Sequence, residues 1–528
     1  MDFTSIVFIQ IAIFSCLAIV FPTSRSSSSI KISAAIVLIL LSTSFYFRPD
    51  LMAKVGLGAW VVAILVPILL MRQLESLVIN SQYTAASRFA KWLRWVVPTD
   101  GMWSYHRLLK GLSLAQTGQL EAAGEIFARS RSSERTEIGR SATALLYRST
   151  DRWQEYIDWG QQRLTPEQLQ LDRSTTLVYY LRAFAETGDL RRCIAEVAKL
   201  DRDRQLNTQY LNLLKMYILA YCGRVDAVIL ACQSLLSMYP TEVHQFWIGT
   251  AELAAGKHDP AKKELRQLKQ ATADSCIQQD IAWRLSQPLP NLDKLTSYDW
   301  ETVAQMETTV IQDAGYSSVT PNDAPTPVTN VIIAINVLVF CAELFWQSRI
   351  GDKDFTFIPW GGLAATLVVT GQWWRIITAN FLHMGILHLG MNMLALLYLG
   401  KFVEYRLGTW KYLFAYLVAG LGSMAVITYI DIRWMTVPHI TVGASGAIMG
   451  MLGAMGAIHL RGWRQAKVAA AGRQFQAVLF SVGFQLVFDL TNGHTSIVGH
   501  FSGLIIGFLV GLMLLGLPTK ELPRLPSS

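Results

Sequence analysis

Ser445 stands in the run Gly443-Ala444-Ser445-Gly446, where one apolar stretch begins, and His500 lies in the first turn of the last apolar stretch. A serine hydroxyl is a poor nucleophile until a base takes its proton, and a neutral imidazole suits that task. The two residues together spell acyl transfer. Each alone has a plainer use: a serine among glycines packs or caps a helix, and a histidine can bond a nearby carbonyl. An ionisable residue inside an apolar stretch is nonetheless expensive and often functional. His388 and Asn392 are four residues apart and so share one helix face. Both can donate hydrogen bonds, and donors aimed at the negative oxygen formed by serine attack are usually the largest catalytic contribution. Bonding across helices is their alternative use. Trp373-Trp374-Arg375 precedes them, and tryptophans of this kind commonly anchor a chain at a membrane interface.

These residues need elements that bring them together. Gly446, Gly450 and Gly453 fall on one helical face, and Gly499, Gly503, Gly507 and Gly511 recur every fourth residue along the last stretch. Two glycine-faced helices can approach unusually closely, which would carry the Ser445 hydroxyl to the His500 imidazole. Apolar runs at about 330–346, 385–403, 410–430, 442–460, 476–490 and 497–516 form a six-helix membrane half. Three more, at about 5–22, 32–47 and 55–71, open the chain. Asp2 is acidic where a signal peptide is basic, so the first run reads as a retained membrane helix. Of the 528 residues 52% are hydrophobic and only 16% charged, the balance of a membrane protein with a soluble part. The net charge of +8 fits positive residues held on the cytoplasmic side, with no nucleic-acid partner expected. The six cysteines contain no Cys-x-x-Cys, so neither a disulfide frame nor a metal site is expected. No cofactor is expected. Glu343 and Asp489 sit near helix ends, where snorkelling would suffice for their charge.

The hydrophilic stretch 72–315 repeats. Turn positions Gly118, Gly188, Gly223 and Gly256 recur, with Thr150 filling the gap between the first two. Each glycine is followed by a helix carrying a small residue: Ala123, Cys193, Ala227 or Ala261. Pro240 and Pro98 mark unit ends. The pattern resembles tetratricopeptide repeats, paired helices of about 34 residues that stack into an array with a concave, peptide-holding face. A proline-bearing linker, 316–329, separates this part from the six-helix half. The expected plan is therefore all-α: membrane helices over 1–71, a soluble repeat domain over 72–315, the linker, a membrane domain over 330–517 and a tail over 518–528.

The run Gly371-Gln-Trp-Trp-Arg-Ile-Ile-Thr-Ala-Asn-Phe-Leu-His383 leads through His388 to Asn392. Glu404-x-x-x-Gly408, Gly443-Ala-Ser-Gly446 and His500-x-x-Gly503-x-x-x-Gly507 follow in order. Over about 325–517 this resembles the rhomboid intramembrane serine proteases. The resemblance implies a six-helix bundle with a water-accessible cavity and a serine–histidine dyad without an acid. Ser445 would be the nucleophile, His500 the base, and His388, Asn392 and the Ser445 N–H the oxyanion hole. Trp374, Arg375, Glu404, Gly443, Gly446, Gly503 and Gly507 match structural motif positions, and His383 an additional histidine with no assigned chemistry. Transmembrane proteins would be the substrates and the bilayer the medium, with a peptide or protein partner for the repeats. With the repeat domain cytoplasmic, the loops on that side of the second half carry Lys401, Arg406, Lys411, Arg461, Arg464, Lys467, Arg473, Lys520 and Arg524. Arg349, Lys353, Arg375 and Arg433 lie opposite, so the bias obeys the positive-inside rule. The plasma membrane is the expected location. A non-catalytic membrane adaptor and a transporter are the competing functions. The transporter reading is weakened by the few charges along the helices.

Overall fold

The structure is a computed structural model. It describes residues 12–516 apart from 14, 17–18, 20–27, 48–51, 97–99, 132–135, 166–174, 204–207, 317–324, 351–356, 435–438, 466–467 and 492–495. Most of the first expected membrane helix, most of the linker and the whole tail therefore lie outside the described residues. The chain is all-α and forms two compact units, one of Ile11–Ala314 and the other from Gly315 onward.

The first unit opens with α1 (Ser28–Phe47) and α2 (Met52–Trp60). A π-helical turn, Val61–Leu65, joins α2 to α3 (Val66–Ile79). Pro67 explains the π turn, since a proline lacks the N–H and its ring crowds the preceding turn. The stretch Lys54–Ile79 is long and apolar enough to cross a membrane. It runs unbroken through the expected boundary at 71/72, because Arg72 ends the apolar character but not the helix. α4 (Tyr83–Val96) folds back on α3, packing Ala86, Ala90 and Leu93 around Leu74.

Antiparallel helix pairs follow: α5 (Asp100–Gln116) with α6 (Leu120–Arg131), and α7 (Glu137–Arg148) with α8 (Trp153–Arg163). Next come α9 (Thr175–Glu186) with α10 (Leu190–Asp203), α11 (Thr208–Tyr221) with α12 (Val225–Gln233), and α13 (Thr241–Ala254) with α14 (His258–Ala271). The turns of four pairs place Gly118, Gly188, Gly223 and Gly256 at positive φ, as the repeat spacing requires. The turn between α7 and α8 instead uses Asp151, one residue beyond the expected Thr150, at φ 52°. Aspartate tolerates the left-handed region better than a β-branched threonine does. Ala123, Cys193, Ala227 and Ala261 are fully buried or nearly so, which lets the paired helices close.

α15 (Ser275–Ser286) lies along the face shared by the first helices of the pairs. It bonds α5 through Asp274–Gln116, α7 through Asp280–Arg148, α9 through Asp280–Arg182 and Arg284–Glu186, and α11 through Arg284–Tyr221. The face expected to be open to a peptide thus carries a helix of this chain. α16 (Ser297–Tyr316) closes the unit.

The second unit contains α17 (Pro327–Ile350), α18 (Ile386–Leu407), α19 (Thr409–Trp434), α20 (Ser445–Arg464), α21 (Ala469–Thr491) and α22 (Ile497–Gly516). α17, α18, α19 and α22 are long and apolar enough to span a membrane. α20 is less apolar because it does not need to face lipid: α18, α19, α21 and α22 all pack on it, and Gly446 to His459 are buried. The α20–α22 contact is backbone on backbone. A Cβ on Gly503 would overlap the Gly446 carbonyl, and one on Gly507 the Gly450 carbonyl. Small residues are what permit such approach between membrane helices.

Candidate active site

Ser445 is the first residue of α20, so its N–H belongs to the turn that has no intrahelical acceptor. The segment before it is held from several sides. Thr441 bridges Leu363 in both directions at 3.0 Å, and the Gly443 N–H donates to the Ala379 carbonyl at 2.9 Å. Buried Arg375 secures the other half of this frame. It donates to the carbonyls of Ile358 and Gly362 at 2.8 Å and to Gln372 Oε1 at 2.8 Å. Trp374, beside it, is half-exposed. Glu404 acts at a distance from the serine. Its carboxylate accepts from the N–H groups of Val328 and Thr329 and from the Thr329 hydroxyl, capping the N-terminus of α17.

The glycine faces of α20 and α22 bring Ser445 Oγ to 2.8 Å from His500 Nε2. Ser496 caps α22 by accepting from the Gly499 N–H, and its carbonyl accepts from the His500 N–H at 3.0 Å, which fixes the first turn. Gly446 lies against Ser423 of α19 and the Gly499 carbonyl.

His388 and Asn392 project from α18 toward the backbone just before the serine. Gly443 has φ 130°, and a Cβ there would stand 2.9 Å from His388 Cε1, 3.1 Å from its Nε2 and 3.8 Å from Asn392 Nδ2. Only glycine leaves room for both side chains. The Met384 N–H donates to His388 Nδ1 at 3.4 Å, so the neutral ring carries its proton on Nε2, the nitrogen that faces Gly443. Asn392 Nδ2 is buried and has no hydrogen-bond partner among the described residues. A buried donor without an acceptor is costly and calls for an explanation. His383 is buried, its Nδ1 3.2 Å from the Phe381 carbonyl oxygen and its ring 5.2 Å from that of His388.

Two expectations are corrected. Asp489 does not snorkel: its side chain is 2% exposed, and its carboxylate lies 2.8 and 2.9 Å from His500 Nδ1. The site therefore contains an acid next to the histidine, where resemblance implied none. Glu343 is also buried. A signal for Asp489 was present in the sequence, namely an intramembrane carboxylate eleven residues before His500 with Gln485 one turn earlier on the same face. Among the described residues no His, Cys, Asp and Glu cluster is suited to a metal, and the six cysteines are unpaired.

Fold and site define a polytopic, all-α membrane protein in whose second unit a largely buried helix carries a serine hydrogen-bonded to a histidine. Residues 370–517 match the family described as "Rhomboid domain". The chain is 34% identical over 203 residues to "Rhomboid protease GluP" of Bacillus subtilis, covering 38% of this chain and 37% of that one. Against "Rhomboid protease AarA" of Providencia stuartii it is 28% identical over 209 residues, covering 36% and 74%. "RHOMBOID-like protein 4" of Arabidopsis thaliana is 33% identical over 169 residues, covering 31% and 40%. The chain thus spans less than half the length of the first and third of these relatives.

Proposed function

We propose that this protein is an intramembrane serine endopeptidase that cuts peptide bonds in or near the transmembrane segments of other membrane proteins. The observation that carries the reading is the 2.8 Å contact between Ser445 Oγ and His500 Nε2 at the buried junction of α20 and α22. The relatives named as rhomboid proteases support it. Ser445 Oγ attacks the scissile carbonyl while its proton passes to His500 Nε2. The oxyanion is met by the Ser445 N–H, the Nε2–H of His388 and the unpartnered Nδ2–H of Asn392. His500 then returns the proton to the leaving amine, and a water hydrolyses the acyl-enzyme by the reverse steps.

The six helices from α17 to α22 form the protease domain, and the helix pairs before them a tetratricopeptide-like domain that selects a protein partner. The repeat domain lies in the cytoplasm and the cut is made toward the outer side of the plasma membrane. The bias of Lys and Arg supports this orientation. Because α15 occupies the face shared by the first helices, a partner uses other surfaces of the array or displaces that helix. An active-site-directed fluorophosphonate tests the reading against an adaptor or a transporter. It labels the protein, the label maps to Ser445, and Ser445→Ala loses both labelling and cleavage. A purified Ser445→Ala protein that still cut a transmembrane substrate would end the assignment.

A further inference from the structure

We propose that Asp489 is a positioning residue that holds His500 in the tautomer and orientation needed to deprotonate Ser445, so that this protein works with a carboxylate–imidazole–hydroxyl relay. The proposal rests on the reading of Ser445 and His500 given above. His500 Nδ1 lies 2.8 Å from Asp489 Oδ2 and 2.9 Å from Oδ1, while Nε2 faces Ser445 Oγ at 2.8 Å. A carboxylate only accepts hydrogen bonds, so Nδ1 must carry the ring proton. That leaves the Nε2 lone pair directed at the serine O–H.

Gln485 makes the arrangement more exacting. Its Nε2 donates to Asp489 Oδ1 at 2.9 Å and stands 3.2 Å from His500 Nδ1. Without the carboxylate, the nearest polar group to Nδ1 is that amide. An amide N–H donated to Nδ1 would put the ring proton on Nε2, and Ser445 would then face a donor instead of a base. Asp489 excludes this by taking both the Gln485 N–H and the His500 N–H.

The environment argues against a purely structural carboxylate. Asp489 is buried, and no Lys or Arg pairs with it among the described residues. An unpaired buried charge is heavily penalised. Its one counter-charge is the imidazolium that exists after Ser445 gives up its proton. The pair therefore gains most when the transition state forms, which is the condition for an interaction to raise turnover instead of binding. No further co-reactant is needed: the serine proton moves to Nε2, the Oγ–C bond forms, and the carboxylate stays ionised.

The test compares Asp489→Asn, Asp489→Ala and Asp489→Glu in the full-length protein, with cleavage of a transmembrane substrate, fluorophosphonate labelling rate and thermal stability as readouts. Asp489→Asn places a donor against Nδ1 and is expected to lower kcat by about 10²- to 10⁴-fold with KM little changed, the loss seen when an acid of this kind is replaced by its amide. Asp489→Ala leaves the Gln485 amide as the nearest polar group to Nδ1 and is likewise expected to lower kcat, and Asp489→Glu to recover part of the loss. A folded Asp489→Asn protein with wild-type kcat and labelling rate would overturn the proposal. If Asp489→Asn does not fold, equal activity of the glutamate and alanine variants would overturn it. Ser445→Ala run in parallel separates the failures. If that variant cleaves, the serine reading falls. If it is dead while Asp489→Asn is fully active, only the role of Asp489 falls.

Discussion

His500 must hold two partners at once, and its neighbours are arranged so that each ring nitrogen has one. On the proposed reading Ser445 and His500 act as a unit, so their losses should not add. His500→Ala is expected to be as inactive as Ser445→Ala, and the double variant no slower than either. A double variant much slower than both singles in the same cleavage assay would disprove that coupling. Asn392 poses a different question, because its buried Nδ2 has no acceptor among the described residues. A donor left free at rest and satisfied by the reacting oxygen acts in the transition state. Asn392→Ala should therefore lower kcat by about 10²–10³-fold, with KM less affected. Unchanged turnover with weakened binding would make it a substrate-positioning residue instead.

Two helices meeting through backbone leave no side chain that can give way. A methyl on Gly507 would overlap the carbonyl group of Gly450, and neither helix can move without displacing Ser445 or His500. Gly507→Ala is expected to cost about 1–3 kcal/mol, as overpacking does, and to reduce activity further by separating the pair. Gly483 of α21 is the control, since a methyl there meets nothing within 4 Å. Thermal unfolding in detergent should drop for Gly507→Ala and stay unchanged or rise slightly for Gly483→Ala. Equal stabilities would contradict the close approach. Arg375 does comparable work at the other end of the site. Its guanidinium gathers the carbonyls of Ile358 and Gly362 and so supports the bridge that sets the segment before Ser445.

The two units are stabilised by different means. In the membrane unit contact is made by small residues, whereas the repeat unit buries a charge network between α15 and the pairs. Burial pushes the Asp280 carboxyl up, but the guanidiniums of Arg148 and Arg182 outweigh it and hold it below its usual range. Glu186 is likewise raised by burial and brought below its ordinary value by Arg284 and Arg182. A depressed folded pKa contributes stability that is present above the unfolded value and lost as pH falls through the folded one. The repeat unit should therefore lose stability on acidification below about pH 4, near the unperturbed carboxyl values. Asp280→Ala removes the carboxylate paired with Arg148 and one of the two paired with buried Arg182, and is expected to cost about 3–5 kcal/mol. Circular dichroism on the full chain would register both effects, while fluorophosphonate labelling of Ser445 at neutral pH should persist. A chain beginning near Thr320 should likewise still cleave a generic transmembrane substrate in detergent but lose preference for its natural one in a membrane. Loss of all cleavage with the six helices intact would make the repeat domain part of the site.

Local pattern alone was enough for the all-α architecture, the apolar runs and the two glycine stripes that bring Ser445 to His500. Periodicity determines which face of a helix is smooth, and two smooth faces have few ways to meet. That His388 and Asn392 share one face, which in the structure lies toward Gly443, was legible for the same reason, since four residues of separation put them there. Asp489 was marked only as an intramembrane carboxylate, because its partner depends on how α21 is rotated and how far it is shifted along α22. No repeat or motif encodes that rotation, and an acid near a helix end is equally suited to reaching water. The place of α15 was hidden in the same way: Asp280 and Arg284 resemble solvent-facing charges until α7, α9 and α11 surround them with Arg148, Arg182, Glu186 and Tyr221. Asp151 replaced Thr150 in the turn because backbone conformation, not spacing, selects the residue there. Contacts within a helix follow from its own periodicity, whereas contacts between distant segments are decided only when the helices pack.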